Sequence, residues 1–177
     1  MVPTDTVYGL AAALRRDAIV RAFALKGRPA DKALPVLAAA ATDLEEVAEL
    51  DPGALRLAQR FWPGPLTIVC PRAPSFELDL GGSGDGTVAV RIPASDPVLA
   101  ILSETGPLAV TSANLSGTAP ATTIERAREV FGRAVGAYVD GGLCDGAPST
   151  VISTVGDPTV LREGALPGAD LLQMLTE

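Results

Sequence analysis

Short apolar runs recur along this chain between stretches of helical periodicity, and that alternation restricts it to an α/β architecture. Residues 34–39, 66–70, 87–92, 108–111, 137–140, 150–154 and 159–161 read as strands or extended segments. Helices are predicted between them. The first is capped by Asp17 and runs through Leu25, with Ile19, Val20, Phe23 and Ala24 apolar. A second runs from Thr42 to about Leu50, where Thr42 and Glu45 match a capping box. Pro52 opens a third, with Leu55, Ala58 and Phe61 on one face. Residues 96–104, Thr123 through Phe131, and a C-terminal helix opened by Pro167 complete the set. The order has no clean βαβ rhythm. It predicts a twisted, mixed β-sheet flanked by helices. No linker divides the chain, and 177 residues suit a single domain spanning 1–177.

Composition removes several kinds of chemistry. There is no histidine, so imidazole acid–base catalysis, His-metal sites and Ser-His-Asp triads are excluded. Cys70 and Cys144 are too few for a disulfide framework and lack metal-ligand spacing, which fits a reducing cytoplasm. Nothing cationic adjoins Cys144, so no activated thiolate is expected there. A net charge of −7 argues against a broad basic surface for nucleic acid, while leaving room for a small cationic pocket. No apolar run is long enough to span a membrane, and the first residues do not form a signal peptide. Of the 14 basic residues only Lys26 and Lys32 are lysines, and both lie in one short segment.

That segment, Lys26-Gly-Arg28-Pro-Ala-Asp-Lys32, presents three cations after a helix that Pro29 is expected to end. Read alone, it is more readily a solvated basic helix terminus than a converging anion site, in which Arg would supply a planar fork and Lys a point charge. Thr111-Ser-Ala-Asn-Leu-Ser-Gly117 follows an apolar strand and puts hydroxyls and an amide at a strand end, where open α/β sheets gather ligands. Ser112 and Asn114 are two residues apart and point the same way in extended chain. Pro3-Thr-Asp-Thr-Val-Tyr-Gly9 is a hydroxyl-rich turn. Trp62-Pro-Gly-Pro-Leu-Thr67 is a rigid turn beside the only tryptophan. Arg91 ends an apolar strand and needs either an internal carboxylate or a substrate anion. Ser149, Thr150 and Arg162 repeat the pattern of polar groups at the ends of apolar runs. No Walker sequence or complete dinucleotide fingerprint is present; GGSGDG at residues 81–86 is read as a loop.

Taken together, PTDTVYGL, KGRP with a following lysine, WPGPLT, VAVRIP, TSANLSG, PSTV and LREGA occur in the order found in YrdC-like domains, from Pro3 to about Ala165. The resemblance implies a twisted mixed sheet with a concave positive cleft. It also implies an enzyme that combines L-threonine, bicarbonate and ATP, with Mg²⁺ carried on the ATP, into threonylcarbamoyl-adenylate and pyrophosphate. Partner proteins then transfer the threonylcarbamoyl group to an adenosine beside the tRNA anticodon. By the same resemblance Lys26, Arg28, Ser112 and Asn114 contact ATP, with Lys32 and Arg162 as further phosphate or nucleotide contacts, and Lys26 and Arg28 carry the chemistry. Thr4, Arg91, Thr111 and Ser149 hold threonine, with Arg91 on its carboxylate. No protein nucleophile or dedicated general base is needed, so a pH–rate profile without a steep protein-derived limb is expected. Ala substitution of Lys26 or Arg28 is expected to lower turnover while leaving the fold intact.

The chain departs from many relatives at Ala33, where they have proline, and at Leu37, where they have histidine. It starts two residues before the first motif, whereas relatives carry a helix and strand upstream. A truncation, or a homodimer covering the exposed sheet edge, accounts for that; a monomer is the other state to test. The competing functions are carbamoyl-adenylate formation, a non-catalytic RNA-binding module with weak tRNA affinity, and a folded inactive fragment.

Overall fold

The computed structural model describes residues 1–176. Within them seven strands form one sheet: β1 (Gly9–Ala13), β2 (Val36–Leu37), β3 (Leu66–Pro71), β4 (Thr87–Arg91), β5 (Leu108–Ser112), β6 (Thr150–Ser153) and β7 (Thr159–Arg162). Their order is β1-β5-β2-β4-β3-β6-β7. The pairs β2–β4 and β3–β6 are parallel and the others antiparallel, so the sheet is mixed, as expected. Five α-helices accompany it: α1 (Arg16–Lys26), α2 (Pro52–Phe61), α3 (Asp96–Thr105), α4 (Ile124–Phe131) and α5 (Gly168–Thr176).

The two faces of the sheet have different fates, and the period of two along each strand shows it. Val36, Ile68, Val90, Ala109 and Ile152 enter one large core with residues of α1, α2, α4 and α5. Their neighbours Leu37 and Val110 face the other way, into a small cluster with Val98 and Leu102 of α3. Farther along that second face no such cluster continues. There Thr67, Ala89, Arg91 and Val151 line a cavity instead. One helix-covered face supplies the core, and the partly covered face supplies the site.

Several local expectations change. Helix α1 ends at Lys26, before Pro29 can act. Gly27 takes a left-handed conformation (φ 56°), and the amide of Arg28 donates to Phe23 O, a Schellman closure that sends the chain sharply away. Arg15, not Asp17, precedes α1; Asp17 sits in its first turn and pairs with Arg15. The helix expected from Thr42 to Leu50 is only a 3-10 turn at Ala41–Leu44, because Asp43 accepts from the Ala40 amide and the chain then bridges Ala48 to Arg72. The strand expected over residues 34–39 narrows to Val36–Leu37. Residues 137–140 form no strand, and β1, whose small side chains hide its alternation, was not anticipated. On α2 the buried residues are Ala54, Leu57 and Ala58, and Leu55 is exposed.

Asp51 caps α2 by accepting from the Ala54 amide at 2.7 Å. Asp51→Ala is expected to cost about 1 kcal/mol of stability, read as a lower denaturation midpoint. An unchanged midpoint would mean that solvent replaces the cap without loss.

Candidate active site

A cavity of about 300 Å³ opens on the second face of the sheet. Its wall includes Thr4, Arg28, Arg91, Thr111, Ser112, Ser149 and Arg162 of the residues singled out from the sequence. Lys26, Lys32 and Asn114 are not part of that wall. The turn after α1 brings Arg28 to it, the ends of β4 and β5 bring Arg91 and Ser112, and β6 and β7 bring Ser149 and Arg162 to the same opening.

Lys26 stands behind the wall and binds the two distant motifs together. It is 2% exposed. Its Nζ donates to Ser112 O at 2.5 Å and Asn114 Oδ1 at 2.5 Å, with Asn114 O at 3.1 Å and Ser112 Oγ at 3.2 Å. An ammonium has three protons, so these oxygens use all of them. Ser112 Oγ donates to Asn114 Oδ1 at 2.7 Å, and Asn114 Nδ2 to Thr118 O at 2.6 Å. The shared direction expected of Ser112 and Asn114 is therefore present. Burial, and after it the charge of Arg28, brings the Lys26 pKa down to about 8.

Arg28 is fixed by three acceptors: its Nε donates to Lys32 O at 2.7 Å, Nη2 to Ala33 O at 2.7 Å and Nη1 to Thr111 Oγ1 at 3.3 Å. Lys32 thus contributes its backbone, and its side chain is exposed. The segment 30–34 is itself held by the glycine-rich loop, since Gly82 N donates to Ala30 O and Leu34 N to Leu80 O. A Cβ on Gly81 would come within 2.5 Å of Phe23 and 2.9 Å of Ala30 O, so the glycine permits this close approach. Burial, then Arg162, lowers the Arg28 pKa from its usual value, while Asp31 acts in the opposite sense. Arg162 donates to Ser149 O through Nε and Nη2 and to Ser149 Oγ through Nη2. Burial lowers its pKa as well. Arg91 pairs with Asp5, the internal carboxylate that the sequence left as one of two alternatives. Among the described residues, neither Arg28 nor Arg162 has a carboxylate within ion-pair distance.

The sequence profile of the Sua5/YciO/YrdC family, described as Telomere recombination, matches residues 1–164. The chain belongs to the Sua5/YciO/YrdC family. A Mycobacterium leprae relative named putative threonylcarbamoyl-AMP synthase is 38% identical over 179 residues, covering 99% of this chain and 81% of its own length. The threonylcarbamoyl-AMP synthase of Pyrococcus abyssi is 42% identical over 99% of this chain. The crystal structure of P. abyssi Sua5 complexed with L-threonine superposes with a TM-score of 0.90 at 40% identity, over 97% of this chain. The chain spans about half the length of that Sua5 protein, 52% in the crystal structure.

Against this family background, four cavity neighbours had escaped the sequence reading. Thr67 lies between buried Leu66 and Ile68 on β3, and shares a hydrogen bond of 2.8 Å with Ser149. Its place in the alternation was the signal that could have found it. Thr6 touches both Thr4 and Arg91. Tyr8, fully buried, donates to Gly142 O and accepts from Gly141 N, tying the irregular 140–146 segment to the hydroxyl-rich turn. Asp5 carried no signal beyond its motif. Cys144 in that segment is buried, and burial raises its thiol pKa, consistent with an inert thiol. No helix among the described residues is long and apolar enough to cross a membrane.

Proposed function

We propose that this chain synthesises L-threonylcarbamoyl-adenylate from L-threonine, bicarbonate and ATP, releasing pyrophosphate, to supply the threonylcarbamoyl modification of tRNA beside the anticodon. The observation that carries this is the meeting of three guanidinium groups with the hydroxyls of Thr4, Thr111, Ser112 and Ser149 around one cavity, where, among the described residues, Asp5 is the one carboxylate ion-paired to any of the three. Arg28 and Arg162, which have no carboxylate within ion-pair distance among the described residues, favour bound anions. The names of the relatives, and the threonine bound by the P. abyssi protein, support the choice of substrates.

The chemistry suits these side chains. Threonine amine and bicarbonate give a carbamate and water. A carbamate oxygen then attacks the α-phosphorus, and the bond from that phosphorus to the bridging oxygen of pyrophosphate breaks. Nucleophile and electrophile are both anionic, so Arg28 and Arg162 act by offsetting repulsion and by stabilising charge on the departing pyrophosphate. Lys26 fixes the Ser112–Asn114 turn beside them. Thr4, Thr111, Ser149 and Arg91 orient the amino acid, which raises the effective concentration of the reacting groups. Mg²⁺ enters as part of the MgATP substrate, its ligands drawn from the triphosphate and water. The free thiols of Cys70 and Cys144 accord with a cytoplasmic enzyme. Downstream transferase proteins, and at most weak direct contact with tRNA, complete the reading.

Mass spectrometry of products after incubation with ATP, Mg²⁺, bicarbonate and threonine tests it. The expected mass is that of threonylcarbamoyl-adenylate, with pyrophosphate release requiring both threonine and bicarbonate. Pyrophosphate release that responds to carbamoyl phosphate instead would transfer the chain to the carbamoyl-adenylate reaction. Tight, salt-sensitive tRNA binding without ATP turnover would favour a binding module.

A further inference from the structure

Arg91 is the most enclosed cation of the cavity wall, and its contacts are unevenly distributed. Of its five N–H groups, one donates from Nη2 to Asp5 Oδ1 at 2.5 Å, one from Nε to Gly64 O at 2.9 Å, and one from Nη1 to Thr6 Oγ1 at 3.4 Å. Two remain uncommitted on a side chain that lines the cavity. The Arg91 and Asp5 side chains are only 7% and 12% exposed. An arginine–carboxylate pair that served packing alone would close as two parallel hydrogen bonds and satisfy both carboxylate oxygens. This one uses a single oxygen. Asp5 Oδ2 is buried without a hydrogen-bond partner among the described residues. The guanidinium is therefore held from Asp5 and Gly64, and kept from turning its whole fork onto the carboxylate.

We propose that Asp5 is a positioning residue, which sets the rotation of the Arg91 guanidinium so that its two spare N–H groups receive the carboxylate of the amino-acid substrate. The inference rests on the proposed function in taking an amino acid as the ligand at this end of the cavity. It adds a division of labour. The Arg91–Asp5 pair carries no net charge, so its end of the cavity favours a zwitterionic amino acid. Arg28 and Arg162, without such a carboxylate, favour the polyanionic triphosphate. Asp5 sits between Thr4 and Thr6, both in the cavity wall, so the turn that holds the pair also supplies hydroxyls to the same ligand.

The test compares wild type, Asp5→Asn, Arg91→Lys and the double variant, in steady-state kinetics and in direct titration of L-threonine by calorimetry. Asparagine keeps the size of the side chain and one acceptor oxygen but not the charge. Asp5→Asn is expected to raise the threonine KM and Kd by about 10-fold or more, while the ATP KM stays within about 2-fold. In the Arg91→Lys background, where the fork is already gone, Asp5→Asn should add less than about 2-fold. Equal changes in the ATP and threonine KM, an undiminished effect in the Arg91→Lys background, or a lower melting temperature with unaltered threonine affinity would each overturn the proposal. If Asp5→Asn does not fold, Asp5→Glu serves in its place. It retains the charge but displaces it by one methylene, and the same threonine-selective loss is required of it. Wild type that binds threonine but forms no adenylate would defeat the activity reading, and the Kd ratio would still decide the role of Asp5. Wild type that binds no amino acid would defeat both.

Discussion

Replacing Lys26 by methionine lowers turnover at neutral pH by about 100-fold, because the Ser112–Asn114 turn that it fixes beside the cavity loses its common donor, and a small misplacement near the reacting groups carries a cost of that size. It also destabilises the fold, which differs from the intact fold expected from the sequence. The reason is burial. At 2% exposure Lys26 is the common donor to Ser112 O, Asn114 O and Asn114 Oδ1. Methionine leaves Asn114 O without a donor, at about 1–3 kcal/mol, and takes a charge-assisted hydrogen bond from Ser112 O and from Asn114 Oδ1, which keep Asn114 N and Ser112 Oγ as donors, at about 1.5–3 kcal/mol each. Against that, it removes an ammonium that burial disfavours: a pKa brought from 10.5 to about 8 corresponds to roughly 3 kcal/mol. The lost hydrogen bonds outweigh the relief, and a net loss of a few kcal/mol lowers the melting temperature by roughly 5–10 °C. Thermal melting beside single-turnover adenylation checks both parts. Wild-type turnover in a folded Lys26→Met variant would remove the lysine from the mechanism.

The same residue dictates opposite pH responses for activity and for folding. Below about 8 both folded and unfolded chains hold the Lys26 proton. Between about 8 and 10.5 only the unfolded chain does, so the contribution of this group to stability rises with pH across that window. Activity that depends on the ammonium falls there. The limb-free pH–rate profile expected from the sequence is accordingly revised to one with a descending basic limb near 8. A general base would give an ascending limb, so the direction separates the two. The limb should vanish from the residual activity of Lys26→Met.

How much of this was legible without coordinates depended on whether a signal was local. Pro52 at the start of α2, Thr123 before α4, and the strand ending at Arg91 rest on caps and alternation, and they stand. The 42–50 helix fails although Leu44, Val47 and Ala48 are buried at helical spacing, because after the 3-10 turn the chain bridges Ala48 to Arg72, a pairing that local spacing does not announce. Pro29 predicts the end of α1, but Gly27, two residues earlier, already supplies the positive φ that closes it. In the candidate site, the Ser112–Asn114 pairing followed from extended geometry. That Lys26 would reach both of them across 86 and 88 residues of chain did not follow from spacing. Only the resemblance joined those motifs in advance. The partner of Arg91 was an open alternative for the same reason: a buried cation announces its need for an anion but not the anion's address.

Arg28→Ala separates the phosphate-binding role of the cavity from its scaffold. Unlike Lys26, Arg28 lies in the wall, and the groups it leaves behind are backbone carbonyls of the partly exposed 32–33 turn and the hydroxyl of Thr111. Solvent can satisfy them, so the melting temperature of the unliganded protein should change by no more than about 2 °C. The loss appears on binding and turnover. Removing a charge-assisted contact to phosphate costs about 2–3 kcal/mol, or roughly 30- to 150-fold in kcat/KM for ATP. The threonine Kd, measured without nucleotide, should stay within about 2-fold, because Arg91 and its hydroxyl neighbours remain. Arg28→Lys should recover less than about 10-fold of the loss. A lysine restores the charge, but it cannot meet Lys32 O and Ala33 O while presenting a further donor in the plane of the fork. The stabilisation that saturating MgATP gives the wild type should shrink in step with the affinity. Equal MgATP-induced shifts in wild type and Arg28→Ala would mean that the triphosphate lies elsewhere, and would leave Arg162 without the neighbouring cation whose repulsion a bound anion relieves.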